Sequence, residues 1–306
     1  MSRLRDREDE ADRIASAAEG LAVLLDAGIA PSSAWRHVGR ASPHPVIRQV
    51  ATRIEGGSTV EDALAAEAGA SGSGGGVTAL SAVWRVAVAA GSPLSPALRG
   101  AASALRDRAE IAREVEVAVS GPRSTARLVG WLPMVGLGFS LVLGVDVLGV
   151  LTGSPVGLGL LGAGGALGVV GRMWTAALVR RATPRGGVPG LEEELVVIAL
   201  SSGLSIERSR RLAAETLGMA ALATTEGAAL DEVLELAERA GAPAAELLAS
   251  AAEQRRRSAR ASGRRAAADL GVRLLLPLAL CVLPAFLLLG VAPMVLGLIS
   301  STVEGF

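Results

Sequence analysis

Hydrophobic side chains recur every three or four positions across residues 10–120, which is the spacing of amphipathic helices. Leu21, Leu24 and Leu25 begin one such apolar face, and Gly28 follows them as a helix-ending residue. Proline or capping residues signal further helix starts at Pro31-Ser32-Ser33, at the capping box Ser58–Glu61 and at Ser92-Pro93. No stretch alternates β-branched and polar residues as a strand does. The pattern therefore predicts an all-α fold.

Three long runs carry almost no charge and predict membrane-spanning helices. The first run, Leu128–Leu151, contains Asp146 as its one charged residue, and the second, Pro155–Gly171, contains none. The third run, Leu274–Val303, has Cys281 as its one ionisable side chain. A helix needs about 20 apolar residues to cross a bilayer. We therefore predict a transmembrane hairpin around the loop LTGSP and, later in the chain, a third span kinked at its prolines.

Arginine is concentrated at the ends of these runs. It occurs at Arg123 and Arg127 before the first run, at Arg180, Arg181 and Arg185 after the second, and at Arg264, Arg265 and Arg273 before the third. Because cytoplasmic flanks of membrane spans are rich in arginine, we expect both charged regions and the N-terminus in the cytoplasm. The predicted domains are a helical domain 1–126, a transmembrane hairpin 127–180, a second helical domain 181–270 and a third transmembrane helix 271–303. The predicted location is the inner (plasma) membrane.

Composition removes several classes of function. All 30 basic residues are arginine and balance 30 acidic residues, so the chain lacks the lysine of a P-loop or a Schiff base. The single cysteine excludes a disulfide scaffold. Zero net charge and 2% aromatic residues give no support for nucleic-acid binding. The charged first residues lack the apolar core of a signal peptide.

The two predicted helical domains resemble each other in sequence. Two pairs of segments align through a glycine, 18–38 with 192–212 through Gly28 and Gly203, and 89–109 with 239–259 through Gly91 and Gly241. In each copy an arginine-rich helix then leads into a predicted span. The matching glycines predict left-handed ends for equivalent helices. We interpret the pattern as an internal repeat of helical hairpins, with chance similarity among alanine-rich helices as the alternative.

The elements in this order resemble the type II secretion system F family, the inner-membrane platform proteins of secretion systems and type IV pili. Four stretches carry the likeness, namely LLDAGIAPSSA (24–34), WRVAVAAGSPLSPAL (84–98), LPMVGLGFSLVLGVDVLGVLTGSPVGLGLL (132–161) and RLLLPLALCVLPAFLLLGVAPMV (273–295). The local sequence is most similar to the Tad (tight adherence, Flp pilus) branch of actinobacteria. Proteins of that branch usually carry one helical domain per chain and work in pairs. The two domain-like segments here leave open whether a second platform protein is needed.

The resemblance implies a scaffold rather than an enzyme, with no cofactor. Such a protein would couple a cytoplasmic secretion or pilus assembly ATPase to the insertion of pilin subunits. The implied partners are that ATPase, pilin subunits, another platform protein or a further copy of the chain, and the lipid bilayer, with no nucleic acid. Two other hypotheses are a small transporter, which three spans and one peripheral acid support poorly, and a membrane-anchored signalling or enzymatic module.

No residue pattern predicts a catalytic, cofactor-binding or metal site. His37 and His44 flank Pro43 without a cysteine or a third histidine to complete a metal site. The runs Glu8-Asp9-Glu10 and Glu192-Glu193-Glu194 place their carboxylates in different directions around a helix, which predicts a helix start or a solvated face. The glycines of 72–76 lack the lysine and the strand of a phosphate-binding loop.

Three features of the membrane-related segments remain as candidates. Gly164 and Gly168 form a G-x-x-x-G pair, which predicts close packing of helices. Asp146 lies in an apolar run but near enough to the LTGSP loop to reach the outer interface. The arginine-rich stretch Arg255–Arg265 predicts topology determination, attraction to anionic lipid headgroups or docking of the ATPase.

Overall fold

The computed structural model describes residues 2–70, 75–142, 155–182, 188–220, 222, 227–293 and 295–296. The predicted all-α fold is confirmed, since the structure is 88% helical and contains no strand within these ranges. The helices are α1 Ser2–Asp26, α2 Pro31–Ala41, α3 Pro45–Glu55, α4 Val60–Ala70, α5 Gly76–Ala90, α6 Leu94–Val142, α7 Pro155–Ala182, α8 Leu191–Ser201, α9 Ile206–Met219, α10 Gly227–Ala240, α11 Ala244–Arg273, α12 Leu275–Pro277 and α13 Leu283–Phe286.

Glycines in the left-handed conformation end several helices, as the sequence predicts. The φ angles of Gly28, Gly91, Gly203 and Gly241 are +78°, +73°, +88° and +62°. After α1, the Gly28 N–H donates to the Leu25 carbonyl and the Ile29 N–H to the Leu24 carbonyl, each at 3.0 Å. These two bonds form a Schellman motif, which satisfies carbonyls that the helix end would leave free. The left-handed conformation predicted for the four aligned glycines is confirmed.

Two predicted caps differ in detail from the structure. The cap of α4 is Thr59, one residue after Ser58, because the Thr59 hydroxyl accepts a bond from the Asp62 N–H at 3.1 Å and donates to the Asp62 carboxylate at 2.7 Å. Ser92, predicted to cap α6, instead donates its hydroxyl to the Ile198 carbonyl of α8 at 2.5 Å. The first difference is a shift of one residue, which lies within the uncertainty of helix boundaries. The second arises from a contact with another helix, which capping preferences cannot reveal.

The structure divides into two compact units. The helical unit comprises Met1–Arg113 and Arg185–Ser262, and the second unit comprises Glu114–Pro184 and Gly263–Phe306. In the helical unit, one hydrophobic core takes fully buried side chains from both predicted helical segments. These include Trp35, Leu64 and Leu98 from the first segment and Leu195, Leu217 and Leu248 from the second. Helices of each predicted helical segment thus cover apolar side chains of the other segment.

A regular ladder of ion pairs joins α1 to α6 in the helical unit. The pairs recur every seven residues and connect Asp12 to Arg113, Glu19 to Arg106 and Asp26 to Arg99. The residue number of the partner on α6 falls as the number on α1 rises, so the two helices are antiparallel. Hydrogen bonding to Glu19 raises the pKa of Arg106 against the opposing effect of burial. Bonds from Ser95 and Arg99 lower the pKa of Asp26.

In the second unit, α7 packs along the apolar helix that continues from α11. This continuation alternates short α-helical segments with two π-helical turns, Leu278–Val282 and Leu287–Val291. Each wide turn contains the carbonyl four residues before a proline, Pro284 or Pro293. Proline donates no bond to that carbonyl and its ring collides with it, and a wider turn relieves both problems. Helical turns therefore follow one another without a gap from Leu275 to Val291, although Pro277 and Pro284 lie within this stretch.

Candidate functional site

The helical unit contains a network of buried charges where α8 meets α11. The two helices approach closely because residue 190, just before α8, is a glycine with φ +76°. A Cβ atom at Gly190 would lie 2.9 Å from the Ala252 carbonyl oxygen of α11. Only a residue without a side chain fits this approach, which places the first turn of α8 beside the arginines of α11. The ion pairs between α8 and α11 therefore depend on glycine at position 190.

Two adjacent glutamates of α8 pair with two adjacent arginines of α11. Glu193 is only 2% exposed, and its Oε1 lies 2.6 Å from Arg255 Nη1. Glu194 Oε2 lies 3.1 Å from Arg256 Nη1, and Glu253 lies at the same distance from Arg256 Nε. Burial acts to lower the pKa of Arg256, but its bonds to Glu194 and Glu253 outweigh burial and raise that pKa. The buried charges are thus held in pairs, as buried charges must be.

The network extends to α6 through a further ion pair. Asp107 is buried and its Oδ1 lies 3.2 Å from Arg260 Nη1 of α11. Burial raises the pKa of Asp107, although the positive charge of Arg260 opposes the shift. Within the second unit, Glu114 lies 2.6 Å from Arg264.

These contacts revise two predictions from the sequence. The run 192–194 does form the first turn of a helix, as predicted. Its second member, Glu193, is buried rather than part of a solvated face, because α11 covers it. In the predicted arginine-rich stretch, Arg255, Arg256 and Arg260 are engaged by carboxylates inside the helical unit. Sequence reasoning missed the network, although the acidic run and the arginine run were each visible as unusual clusters.

In the second unit, glycines do mediate close helix packing, but the predicted pair is wrong by one member. A Cβ atom at Gly164 would lie 2.5 Å from Leu289 Cγ, and one at Gly171 would lie 2.9 Å from Cys281 Cβ. At Gly168 nothing lies within 4 Å. The close approach therefore uses Gly164 and Gly171. These two residues lie seven positions, or about two turns, apart on the face of α7 that the partner helix contacts. The small-residue packing typical of membrane helices is retained.

The other sequence candidates are not brought into a common site. His37 is exposed, whereas His44 is buried at the start of α3, where burial and the nearby positive charge of Arg13 lower its pKa. The described residues contain no group of three histidine, cysteine or acidic side chains placed to hold a metal ion. Asp146, most of the LTGSP loop, Gly72 and Gly74 lie outside the described residues, as do the side chains of Glu8 and Asp9.

The structure thus defines an all-helical protein with a charged helical unit and long apolar helices. Two helices, Pro155–Arg181 and Ala244–Val291, are long and apolar enough to cross a membrane by length and composition. The described part of the predicted first span, residues 128–142, is helical.

Residues 17–142 match the family described as Type II secretion system (T2SS), protein F. The matched part runs from α1 to the described end of α6 and covers less than half of the chain. It supports the predicted resemblance to the type II secretion system F family. No curated protein matches this chain.

Proposed function

We propose that this chain is a platform protein of a secretion or pilus-assembly machine in the inner (plasma) membrane. The observation that carries the proposal is the family match over residues 17–142, in a chain whose helices continue into long apolar segments. In this proposal the helical unit stands in the cytoplasm and holds soluble partners. The apolar helices lie in the bilayer, with the arginine-rich flanks on the cytoplasmic side.

We further propose that the chain serves a Tad (Flp-type) pilus machine and couples its assembly ATPase to pilin insertion. Two of the stretches that carry the Tad resemblance, 24–34 and 84–98, lie within the family match.

Membrane topology is the first test, and the single cysteine makes it simple. In a Cys281→Ser background, one cysteine is placed at Ser58 in the helical unit or at Ser154 in the LTGSP loop. We expect a membrane-impermeant maleimide to label the Ser154→Cys protein in intact spheroplasts. The Ser58→Cys protein should react only after the membrane is opened. Labelling of Ser58→Cys from outside would contradict the cytoplasmic placement of the helical unit.

The functional test is genetic and biochemical. Deletion of the gene should abolish surface pili or secretion without lowering the amounts of ATPase and pilin. Photo-crosslinking groups in the helical unit should capture the ATPase, and groups in α7 should capture pilin. Unchanged pilus or secretion output after deletion would refute the platform function. Normal capture of pilin with no capture of ATPase would refute the proposed coupling alone.

A further inference from the structure

One face of the helical unit carries concentrated positive charge. Helices α2 and α3 with their connection, residues 31–55, hold four arginines and one glutamate, a net charge of +3. All four arginines are exposed, at Arg36, Arg40, Arg48 and Arg53. Arg40 pairs with Glu55 and Arg53 with Glu67, at 3.1 and 2.7 Å. Arg36 and Arg48 form no ion pair within the described part of the chain. We name the exposed residues of 31–55 the basic face.

A second surface of the same unit carries the opposite charge. Helix α10, Gly227–Ala240, holds four acidic residues and one arginine, a net charge of −3. With α9 it borders an open groove of about 480 Å³, lined by Glu207, Asp231, Glu235 and Glu238 among others. Asp231 lies 2.5 Å from Arg210. Glu232 and Glu238 are exposed and have no ion pair among the described residues. We name α10 and this groove the acidic groove.

We propose that the basic face of one copy of the chain docks into the acidic groove of a second copy. The two surfaces carry net charges of equal size and opposite sign, and each keeps two charged side chains that form no ion pair within the described part of the chain. Complementary charge steers association and fixes which surfaces meet. Because the surfaces differ, each copy offers both and the copies join head to tail. This inference does not depend on the proposed function.

An anionic membrane is the other surface that a basic face could meet. Membrane-surface helices combine basic residues with large apolar side chains that enter the bilayer. Among residues 31–55 no large apolar side chain is exposed, since Trp35, Ile47, Val50 and Ile54 are buried in the core. The basic face thus offers charge without an anchor. This composition favours a protein surface, and the acidic groove supplies one of matching charge.

The test uses two charge-reversed versions of the full-length chain. Variant X carries Arg36→Glu and Arg48→Glu, and variant Y carries Glu232→Arg and Glu238→Arg. Two differently tagged copies are expressed together, extracted in mild detergent at 0.1 M salt, and one tag is used to capture the other. Wild-type copies should capture each other. X with X and Y with Y should each show at least about a tenfold loss, because like charges now face each other.

The decisive sample is X expressed together with Y. The acidic face of X then meets the basic groove of Y, and the unchanged basic face of Y meets the unchanged acidic groove of X. Capture should therefore return to the wild-type level. It should fall at 1 M salt, where the Debye length is about 3 Å. Failure of X with Y to restore capture would overturn the proposed pairing, as would undiminished capture of X by X.

Controls separate association from folding. Glu246→Arg reverses an exposed charge on α11 and should leave capture unchanged. If X or Y has a lowered unfolding temperature, the neutral versions Arg36→Gln/Arg48→Gln and Glu232→Gln/Glu238→Gln replace them, and each should still weaken capture. Loss of capture in X but not in Y would show that the basic face meets a surface other than the acidic groove, and would overturn the proposal.

Discussion

Replacing Gly171 by alanine should separate α7 from the apolar helix it packs on. The added Cβ would lie 2.9 Å from Cys281 Cβ. Carbon atoms prefer a separation of about 3.5–4.0 Å, so the helices must move apart by roughly 0.6–1.1 Å. Overpacking of this kind costs about 1–3 kcal/mol. Gly168→Ala is the matched control, because its new methyl group would point into open space.

The control also removes the effect of helix propensity. Both substitutions place alanine in the interior of α7, and alanine is favoured over glycine by about 1 kcal/mol in a helix. Since this gain is common to both variants, the difference between them isolates the packing cost. We therefore expect Gly171→Ala to be less stable than Gly168→Ala by about 1–3 kcal/mol.

Cys281 provides the assay, because it is the only cysteine and is 5% exposed beneath Gly171. The rate at which a small uncharged maleimide labels Cys281 in detergent reports how often the helices part. The expected cost corresponds to a labelling rate roughly 5- to 150-fold faster in Gly171→Ala than in Gly168→Ala, at 1.36 kcal/mol per factor of ten. Equal labelling rates in the two variants would refute the packing described for Gly171.

Three further predictions concern the helical unit. Arg255→Ala should destabilise it by about 3–5 kcal/mol in chemical unfolding, because Glu193 would remain buried without its partner, and a second change of Glu193→Leu should recover most of the loss. The raised pKa of Asp107 means that folding favours the protonated form of this carboxyl. Its contribution to stability is therefore largest below the pKa of the unfolded chain and is lost as the pH rises through the pKa of the folded protein. The wild type should therefore gain stability relative to Asp107→Asn as the pH falls from 7 towards about 4, and a constant difference would count against the burial described. Gly39→Ala should lower the unfolding temperature because its Cβ would collide with Ala51 across the contact of α2 and α3, whereas Gly218→Ala, which meets nothing, should not.

Local signals in the sequence were sufficient for the helices and for where several of them end. Gly28, Gly91, Gly203 and Gly241 were identifiable because a left-handed helix end is a local requirement that glycine meets at least cost. The apolar runs were equally visible, because the length of an uncharged stretch can be read directly from the order of residues. The cap of α4 was placed within one residue, because capping depends on residues next to each other in the chain.

Long-range pairing could not be read in the same way. The acidic run predicted a helix start or a solvated face, but α11 covers Glu193. The arginine-rich stretch predicted roles outside the fold, but Arg256 and Arg260 pair with carboxylates of α8 and α6. Gly168 and Gly171 are indistinguishable in a glycine-rich helix. Which of them faces a neighbour depends on the path of the partner helix.

By itself, the sequence determined an all-α chain with charged and apolar parts, and it indicated the family through the order of its segments. These properties depend on local backbone preference and on hydrophobicity, which are intrinsic to each residue type. Only the tertiary structure decided that helices from both predicted helical domains share one core, and that opposite charges meet inside it. Such contacts join residues far apart in the chain, and their energy exists only once packing has removed water from between them.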